Sequence, residues 1–170
     1  LGDLFSSFVI FLDKPFKVGE VVSFDGLTGT VENVGLKTTQ MRSLSGELLV
    51  LPNSDLTKAR LRNFTRMAER RAVFGFGIVY ETPRAKVAGV PQTVREIFAT
   101  LPKTRLDRVH FKAFGESSLD FEVVYYVLDP DYNVYMDLQQ AANLALMERF
   151  EAEGVAFAYP TRTLYLNKTA

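Results

Sequence analysis

The sequence predicts an α+β protein in which an amphipathic helix leads into two small domains. Residues 1–12 repeat apolar side chains at helical spacing, and residues 20–51 contain short β-prone runs separated by turn residues. Residues 72–166 then alternate strand and helix patterns. The chain has 170 residues, of which 47% are hydrophobic and 24% charged, so it has the composition of a globular protein and enough apolar residues for two modest cores.

Composition excludes several classes of function. Twenty Lys and Arg residues balance twenty Asp and Glu residues, so the chain as a whole has no bulk attraction for nucleic acid or an anionic bilayer. There is no Cys, which excludes disulfides, a thiol nucleophile and Cys-ligated zinc. The apolar run Phe8–Leu12 is far too short to span a bilayer. Because the sequence starts at Leu1 without Met and runs at once into apolar residues, we expect a fragment of a longer polypeptide.

The first predicted element is a helix over residues 1–12, and Pro15 ends it. Its apolar residues follow i, i+3, i+4, i+7 spacing and are Leu1, Leu4, Phe5, Phe8, Phe11 and Leu12. So short a segment has no partner for this stripe within itself. We therefore expect the stripe to be buried against the β domain that follows, a neighbouring subunit or lipid.

The second region is predicted to be a small β-barrel or sandwich. Its β-prone runs are separated by the turn pairs Asp25-Gly26 and Ser45-Gly46, and Pro52-Asn53 follows the last run. The predicted strands are Val21–Phe24, Thr30–Val34, Leu36–Met41 and Leu48–Leu51.

A basic stretch follows the β region, and we place the domain boundary within it, near Arg66–Ala68. Glu69 is its only acidic residue, and its basic residues are Lys58, Arg60, Arg62, Arg66, Arg70 and Arg71. One interpretation is a solvated connector, since charge runs usually face water. Binding of phosphate is a second, weaker interpretation.

The last region is predicted to be a ferredoxin-like α/β sandwich, because its elements follow the order βαββαβ. The predicted elements are a strand over Ala72–Tyr80, a helix over Val87–Leu101 kinked at Pro91, a hairpin around the Gly115–Ser118 turn, a helix over about Asp131–Glu153 stopped by Gly154, and a closing strand over Thr163–Leu166. On the second helix, Leu144 and Met147 fall off the core stripe, so we expect them, or the edges of the β domain, to contact neighbouring subunits.

No residue pattern predicts catalysis, a metal site or a cofactor site. The only His, His110, is predicted on the polar face of a strand without a catalytic partner. Asp129 and Asp131 fit a turn and a helix cap better than a cation site. Gly26, Gly29, Gly75 and Gly77 do not form a phosphate-binding fingerprint. Phe74 and Phe76 resemble an RNA-recognition strand pattern, but they lie on the wrong strand of the domain, so core packing is favoured.

Several motifs in one order resemble the cytoplasmic region of the small-conductance mechanosensitive channel (MscS) family, and they span nearly the whole chain. In the first half these motifs are Pro15-Phe16-Lys17-Val18-Gly19-Glu20-Val21-Val22, Gly29-Thr30-Val31-Glu32-Asn33-Val34-Gly35, Thr39-Gln40-Met41-Arg42, Val50-Leu51-Pro52-Asn53-Ser54 and Asn63-Phe64-Thr65. In the second half they are Tyr80-Glu81-Thr82-Pro83, Phe114-Gly115-Glu116-Ser117-Ser118-Leu119 and Tyr159-Pro160-Thr161. The sequence departs from the family pattern at Ser45, where Asp is frequent, and at Pro91, which interrupts a usually continuous helix.

The resemblance implies a division into three parts: residues 1–14 as the end of a pore-lining helix, residues 15–67 as an Sm-like β-domain, and residues 68–170 as the ferredoxin-like domain. It further implies a non-enzymatic channel of the inner membrane that opens under tension and releases ions and osmolytes during hypo-osmotic shock. This region would lie on the cytoplasmic side as the vestibule of a homoheptamer, anchored in the lipid bilayer by helices that precede it. Because the chain stops soon after Leu166, we expect it to lack any C-terminal assembly barrel of the kind that the resemblance implies.

The resemblance also suggests roles for individual residues. Seven copies of the basic stretch would ring a water-filled passage and bias which ions enter, which is a third interpretation of its charge. The residues assigned to this portal or vestibule charge are Lys58, Arg60, Arg62 and Arg66. Those assigned to the membrane-proximal helix and its end are Leu4, Phe5, Phe8, Phe11, Leu12, Pro15 and Phe16. Those assigned to family-motif turns are Gly19, Gly29, Pro52 and Asn53.

Two other functions remain open at this point. The first is a soluble module that binds nucleic acid through a β-barrel and a ferredoxin-like domain, although the balanced net charge gives no reason to expect a nucleic-acid partner. The second is a regulatory domain that senses a small-molecule ligand.

Overall fold

A computed structural model describes residues 2–166 and, for residues 2 and 3, the backbone alone. The chain divides into two compact units between Ala68 and Glu69. Each unit has its own cluster of buried apolar side chains.

The first unit is a five-stranded antiparallel sheet accompanied by two helices. Its elements are α1 (Gly2–Asp13), β1 (Val21–Phe24), β2 (Leu27–Val34), β3 (Thr38–Ser43), β4 (Leu48–Pro52), α2 (Asn53–Lys58) and β5 (Arg62–Asn63). The strand order in the sheet is β4-β3-β2-β1-β5. The first helix and the four predicted strands are confirmed to within a few residues, whereas α2 and β5 were not predicted.

The core of the first unit comes from alternate residues of its strands. Val22, Val31 and Met41 point into it and are almost fully buried, together with Leu56 of α2. Phe16 is also buried in this core, 3% exposed, although the resemblance assigned it to the membrane-proximal region. Since Phe16 follows α1 by only three residues, the core fixes the point at which the chain enters the sheet.

The second unit is a three-stranded antiparallel sheet accompanied by two helices. Its elements are β6 (Arg70–Ile78), α3 (Arg84–Thr100), β7 (Thr104–Phe114), β8 (Leu119–Val127) and α4 (Tyr132–Glu153). The strand order is β6-β8-β7, so β8 is central. The apolar side chains of alternate strand residues pack with those of α3 and α4 in one core. This arrangement confirms an α+β protein with antiparallel sheets.

The helices of the second unit begin and end close to where the sequence placed them. Asp131 caps α4, since its carboxylate accepts a hydrogen bond of 2.7 Å from the Asn133 amide. Gly154 ends the helix in the left-handed conformation, with φ of +64°. Asp129 belongs to the same turn, where it accepts from the Asp131 amide and pairs with Lys103 at 2.9 Å, so these carboxylates have structural roles. Helix α3 continues through Pro91 as one element.

The predicted closing strand over Thr163–Leu166 is wrong. Residues 161–166 contain no strand, and the side chains of Leu164 and Leu166 are exposed. The edge of β6 is instead met by residues 156–158, through an isolated bridge between Ile78 and Phe157. Because α4 stops sharply at Gly154 and Val155 enters the core, the chain reaches this edge several residues earlier than the alternation at 163–166 suggested.

Candidate functional site

Helix α1 exposes its apolar stripe and packs with its other face. Phe5, Phe8 and Phe11 are 76%, 59% and 70% exposed, whereas Ile10 is 3% exposed. The helix packs against α2, where the Thr57 hydroxyl donates to the Ser6 hydroxyl at 3.1 Å. The expectation that the stripe is buried against the β domain of the same chain is therefore wrong.

The other described residues of the stripe are exposed as well. Leu4 and Leu12 are exposed, and Leu1 lies outside the described residues. Large apolar side chains clustered on a surface usually mark a contact with protein or lipid. The described part of the chain contains no helix long and apolar enough to cross a membrane.

Helix α1 ends at the predicted place. Lys14, with φ of +46°, donates its amide to the Ile10 carbonyl at 2.9 Å, and the exposed Pro15 follows. An open groove of about 410 Å³ lies beside this end, and its lining includes Phe11, Val18 and the two basic residues Lys14 and Lys17. The groove thus combines an apolar lining with positive charge.

The carboxylate of Glu20 joins the segment that follows α1 to a segment more than forty residues later. One oxygen accepts from the Lys17 amide at 2.9 Å and from Asn63 Nδ2 at 2.8 Å, and the other accepts from Arg66 Nε at 3.0 Å. Asn63 Nδ2 also reaches the Pro15 carbonyl at 3.3 Å. We call this arrangement the Glu20 clasp: Glu20, Asn63, Arg66 and the backbone of Pro15 and Lys17.

The hydrogen bonds of the Glu20 clasp determine the pKa of Glu20. Burial by itself raises the pKa of Glu20, but the hydrogen bonds from Arg66, Asn63 and Lys17 together outweigh it and lower that pKa below its usual range. The Glu20 side chain is 15% exposed, against 42% for Arg66. The clasp therefore holds an ionised, mostly covered carboxylate at neutral pH.

Among the residues assigned to motif turns, Gly19 and Gly29 have different roles. Gly19 lies in a turn with φ of +91°, a conformation that favours glycine. Gly29 lies inside β2, so its assignment to a turn is wrong. It is needed there because a Cβ atom would approach the Arg42 carbonyl oxygen of β3 to 2.5 Å.

Pro52 and Asn53 mark the junction of β4 with α2. Asn53 is fully buried, and its Oδ1 accepts from the Thr39 hydroxyl at 2.8 Å while its Nδ2 donates to the Gly35 carbonyl at 2.9 Å. Its amide donates to the Lys37 carbonyl at 2.9 Å. Asn53 therefore fixes α2, and with it the surface on which α1 packs. The sequence identified the position but not the buried hydrogen bonds, which depend on contacts with residues 14 to 18 positions away.

The basic stretch is not one uniform connector. Arg66 belongs to the Glu20 clasp, and Arg70 donates to the Pro130 carbonyl at 3.2 Å and lies over the ring of Tyr132. The side chains of Lys58, Arg60 and Arg62 are exposed, and none of these three forms an ion pair within residues 2–166.

The residues considered for catalysis or nucleic-acid binding have other roles. His110 lies exposed on β7, opposite Glu122 of β8. Phe74 and Phe76 pack against the core of the second unit, as predicted, so they present no stacking platform to bases. In the described part of the chain, no group of three His, Asp or Glu side chains is arranged to hold a metal ion.

Comparison with known proteins identifies the family. Residues 1–66 match the family model described as mechanosensitive ion channel, beta-domain, and residues 72–157 match the one described as mechanosensitive ion channel MscS, C-terminal. An uncharacterized MscS family protein of Aquifex aeolicus is 36% identical over 98% of this chain and 46% of its own length. The small-conductance mechanosensitive channel MscMJ of Methanocaldococcus jannaschii is 34% identical over 99% of this chain and 48% of its own length.

Solved structures show the same fold. The crystal structure of Helicobacter pylori MscS in its closed state has a TM-score of 0.78 and 22% identity, and the match covers 99% of this chain and 66% of that one. A cryo-EM structure of Arabidopsis thaliana MSL1 has a TM-score of 0.77 and 17% identity, and covers 94% of this chain and 58% of that one.

The matched models define the class of the two units, which correspond to the β-domain and the C-terminal domain of mechanosensitive ion channels. The chain belongs to the MscS family of mechanosensitive ion channels. It spans about half the length of the curated relatives that it matches.

Proposed function

We propose that this chain is the cytoplasmic vestibule portion of a channel that opens under membrane tension and releases ions and small osmolytes during hypo-osmotic shock. Residues 1–14 form the end of the pore-lining helix, residues 15–67 the β-domain and residues 68–170 the α/β domain. The intact protein is a homoheptamer held in the inner membrane, with this region on the cytoplasmic side.

The observation that carries this proposal is the orientation of α1. A helix of a globular domain normally turns its apolar face toward the core, but α1 turns Phe5, Phe8 and Phe11 away from the rest of the first unit. Those rings need a partner outside the described chain. A pore-lining helix has such partners, in the neighbouring subunits and the lipid. The adjacent Lys14 and Lys17 suit the level of anionic lipid headgroups.

The two units suit specific fold families. We infer an Sm-like domain from a helix followed by a five-stranded antiparallel sheet. We infer a ferredoxin-like domain from the order β6-α3-β7-β8-α4, in which the bridge at Phe157 takes the place of the final strand.

The free positive charge suits a vestibule. Lys58, Arg60 and Arg62 are exposed, so repetition by symmetry would place rings of unpaired cations along a water-filled passage. Arg66 contributes less to such a ring because Glu20 neutralises it. Leu144 and Met147 are both exposed on α4, and we assign them to contacts between subunits.

Patch-clamp recording of the full-length parent, in a membrane that lacks other mechanosensitive channels, tests this function. We expect tension-gated currents that change when Phe8→Asp or Phe11→Asp places a charge on the stripe. Leu44→Asp is the matched control, because Leu44 is equally apolar and 82% exposed but lies in the turn between β3 and β4. A parent without tension-gated currents would overturn the proposal, and identical effects of Phe8→Asp and Leu44→Asp would overturn the role of α1.

A further inference from the structure

The Glu20 clasp lies where the chain enters and leaves the five-stranded sheet of the first unit. The chain enters from α1 through Pro15 and Lys17, and it leaves through Asn63 and Arg66. The two segments also share strand pairing, since β1 pairs with β5 and the Val21 amide donates to the Thr65 hydroxyl at 2.8 Å. The segments that enter and leave the sheet are thus joined at one carboxylate.

We propose that Glu20 is a positioning residue for gating, which holds the exit segment Asn63–Arg66 against residues 15–17 directly after α1, so that displacement of α1 reaches the residues that lead to the second unit. This inference rests on the proposed function of the chain as part of a tension-gated channel. It adds to that function a route by which movement of the membrane-side helix is passed on.

The chemistry of the clasp suits this role. Glu20 accepts from one backbone amide, one side-chain amide and one guanidinium, and hydrogen bonds to an ionised carboxylate are stronger than those between neutral groups. The same Asn63 side chain accepts from the amides of Thr65 and Arg66 through its Oδ1, at 3.1 and 3.2 Å. A shift of the α1 end therefore changes several bonds of the exit segment together.

A second ion pair of the first unit provides the comparison that the clasp needs. Glu32 and Arg42 form two hydrogen bonds, at 2.8 and 3.0 Å, so this pair is geometrically as good as that of Glu20 and Arg66. It joins β2 to β3, which are already neighbours in the sheet, and both side chains are more than a third exposed. We therefore expect loss of this pair to leave the segments that enter and leave the sheet in place.

The test uses the full-length parent and three variants: Glu20→Gln, Arg66→Ala and Glu32→Gln. Glu20→Gln keeps the size of the side chain and one acceptor oxygen but loses the charge, so it is the variant expected to fold normally. We expect Glu20→Gln to shift the tension midpoint of opening while single-channel conductance and surface expression stay unchanged. Arg66→Ala should shift it in the same direction, and the double variant by less than the sum of the two shifts.

The control separates a specific coupling from a general loss of charge. We expect Glu32→Gln to leave the tension midpoint at the value of the unaltered channel. If Glu20→Gln leaves the midpoint unchanged, or if Glu32→Gln shifts it equally, Glu20 has no positioning role, although the parent is still a tension-gated channel. If the unaltered parent itself gives no tension-gated current, the proposed function fails first and the role of Glu20 in gating falls with it.

Discussion

Helices α1 and α4 both carry large apolar side chains at helical spacing, but only α4 turns these side chains toward the rest of its own unit. In α4 the large apolar residues Leu138, Leu146 and Phe150 are buried against the sheet. In α1 the aromatic residues are exposed, and the packed face carries Ser6 and Ile10. Amphipathic spacing therefore shows that a helix has a face in need of a partner, but not whether its own chain supplies that partner.

The largest effect is expected for Phe150→Ala, which removes a buried side chain of α4. Phe150 is almost fully buried and its ring contacts Phe76 and Phe157, so its truncation leaves a cavity. We expect the free energy of unfolding of the second unit to fall by about 3–5 kcal/mol. Urea denaturation followed by circular dichroism measures this loss. A loss below about 1 kcal/mol would mean that α4 is not anchored through this face.

On the α1 side, the informative substitution is Asn53→Ala, because Asn53 fixes the helix α2 on which α1 packs. The substitution leaves the Gly35 carbonyl and the Thr39 hydroxyl without their buried partner. We expect the first unit to lose about 1–3 kcal/mol of unfolding free energy.

The partner variant checks the cause of that loss. Thr39→Val removes the other half of the side-chain hydrogen bond, so the two changes combined should cost less than their sum. Additive losses would show that Asn53 acts through something other than this bond.

Acid should weaken the end of α1 through Glu20. The pKa of Glu20 is lowered in the folded chain, so its contribution to stability is complete above the unfolded pKa and is lost as the pH falls through the folded value. We expect Glu20→Gln to reduce the fall in stability of the first unit on acidification.

Chemical denaturation at a series of pH values measures this effect, and Glu116→Gln is the control because Glu116 is an exposed carboxylate of the β7–β8 turn. Parallel pH profiles of the unaltered chain and Glu20→Gln would contradict the expectation.

The smallest effect is expected for Phe8→Ala in the 170-residue chain. Phe8 is 59% exposed, so its truncation should change the unfolding free energy by no more than about 0.5 kcal/mol. The same denaturation experiment as for Phe150→Ala measures it. A loss comparable to that of Phe150→Ala would show that the stripe of α1 is buried in the isolated chain after all.

Patterns read from the sequence predicted the elements whose partners are close along the chain. The α4 caps at Asp131 and Gly154 depend on residues within one turn of the helix, and both were predicted correctly. The strands β1 to β4 form hairpins with short turns, so local alternation was sufficient.

The sequence did not predict the features that depend on contacts between residues far apart along the chain. Helix α2 depends on α1 and Thr39, and strand β5 depends on β1. These elements have six and two residues, respectively, and are too short to show a periodic pattern. The alternation at 163–166 is real, but the edge of β6 is already occupied by residues 156–158. The Glu20 clasp joins positions more than forty residues apart, which no local pattern records.

The buried Asn53 also determines where this fold tolerates insertions. Asn53 forms hydrogen bonds with Gly35, Lys37 and Thr39 at the same time. These three bonds can form together only if the β2–β3 loop keeps its present length. One added residue there would displace at least one of these three partners. The turn at Ser45 and Gly46 between β3 and β4 is exposed, and no buried side chain fixes its length in the described part of the chain. Loop grafts, epitope tags and natural length variation should therefore be accepted at Ser45–Gly46 and rejected between Gly35 and Thr39.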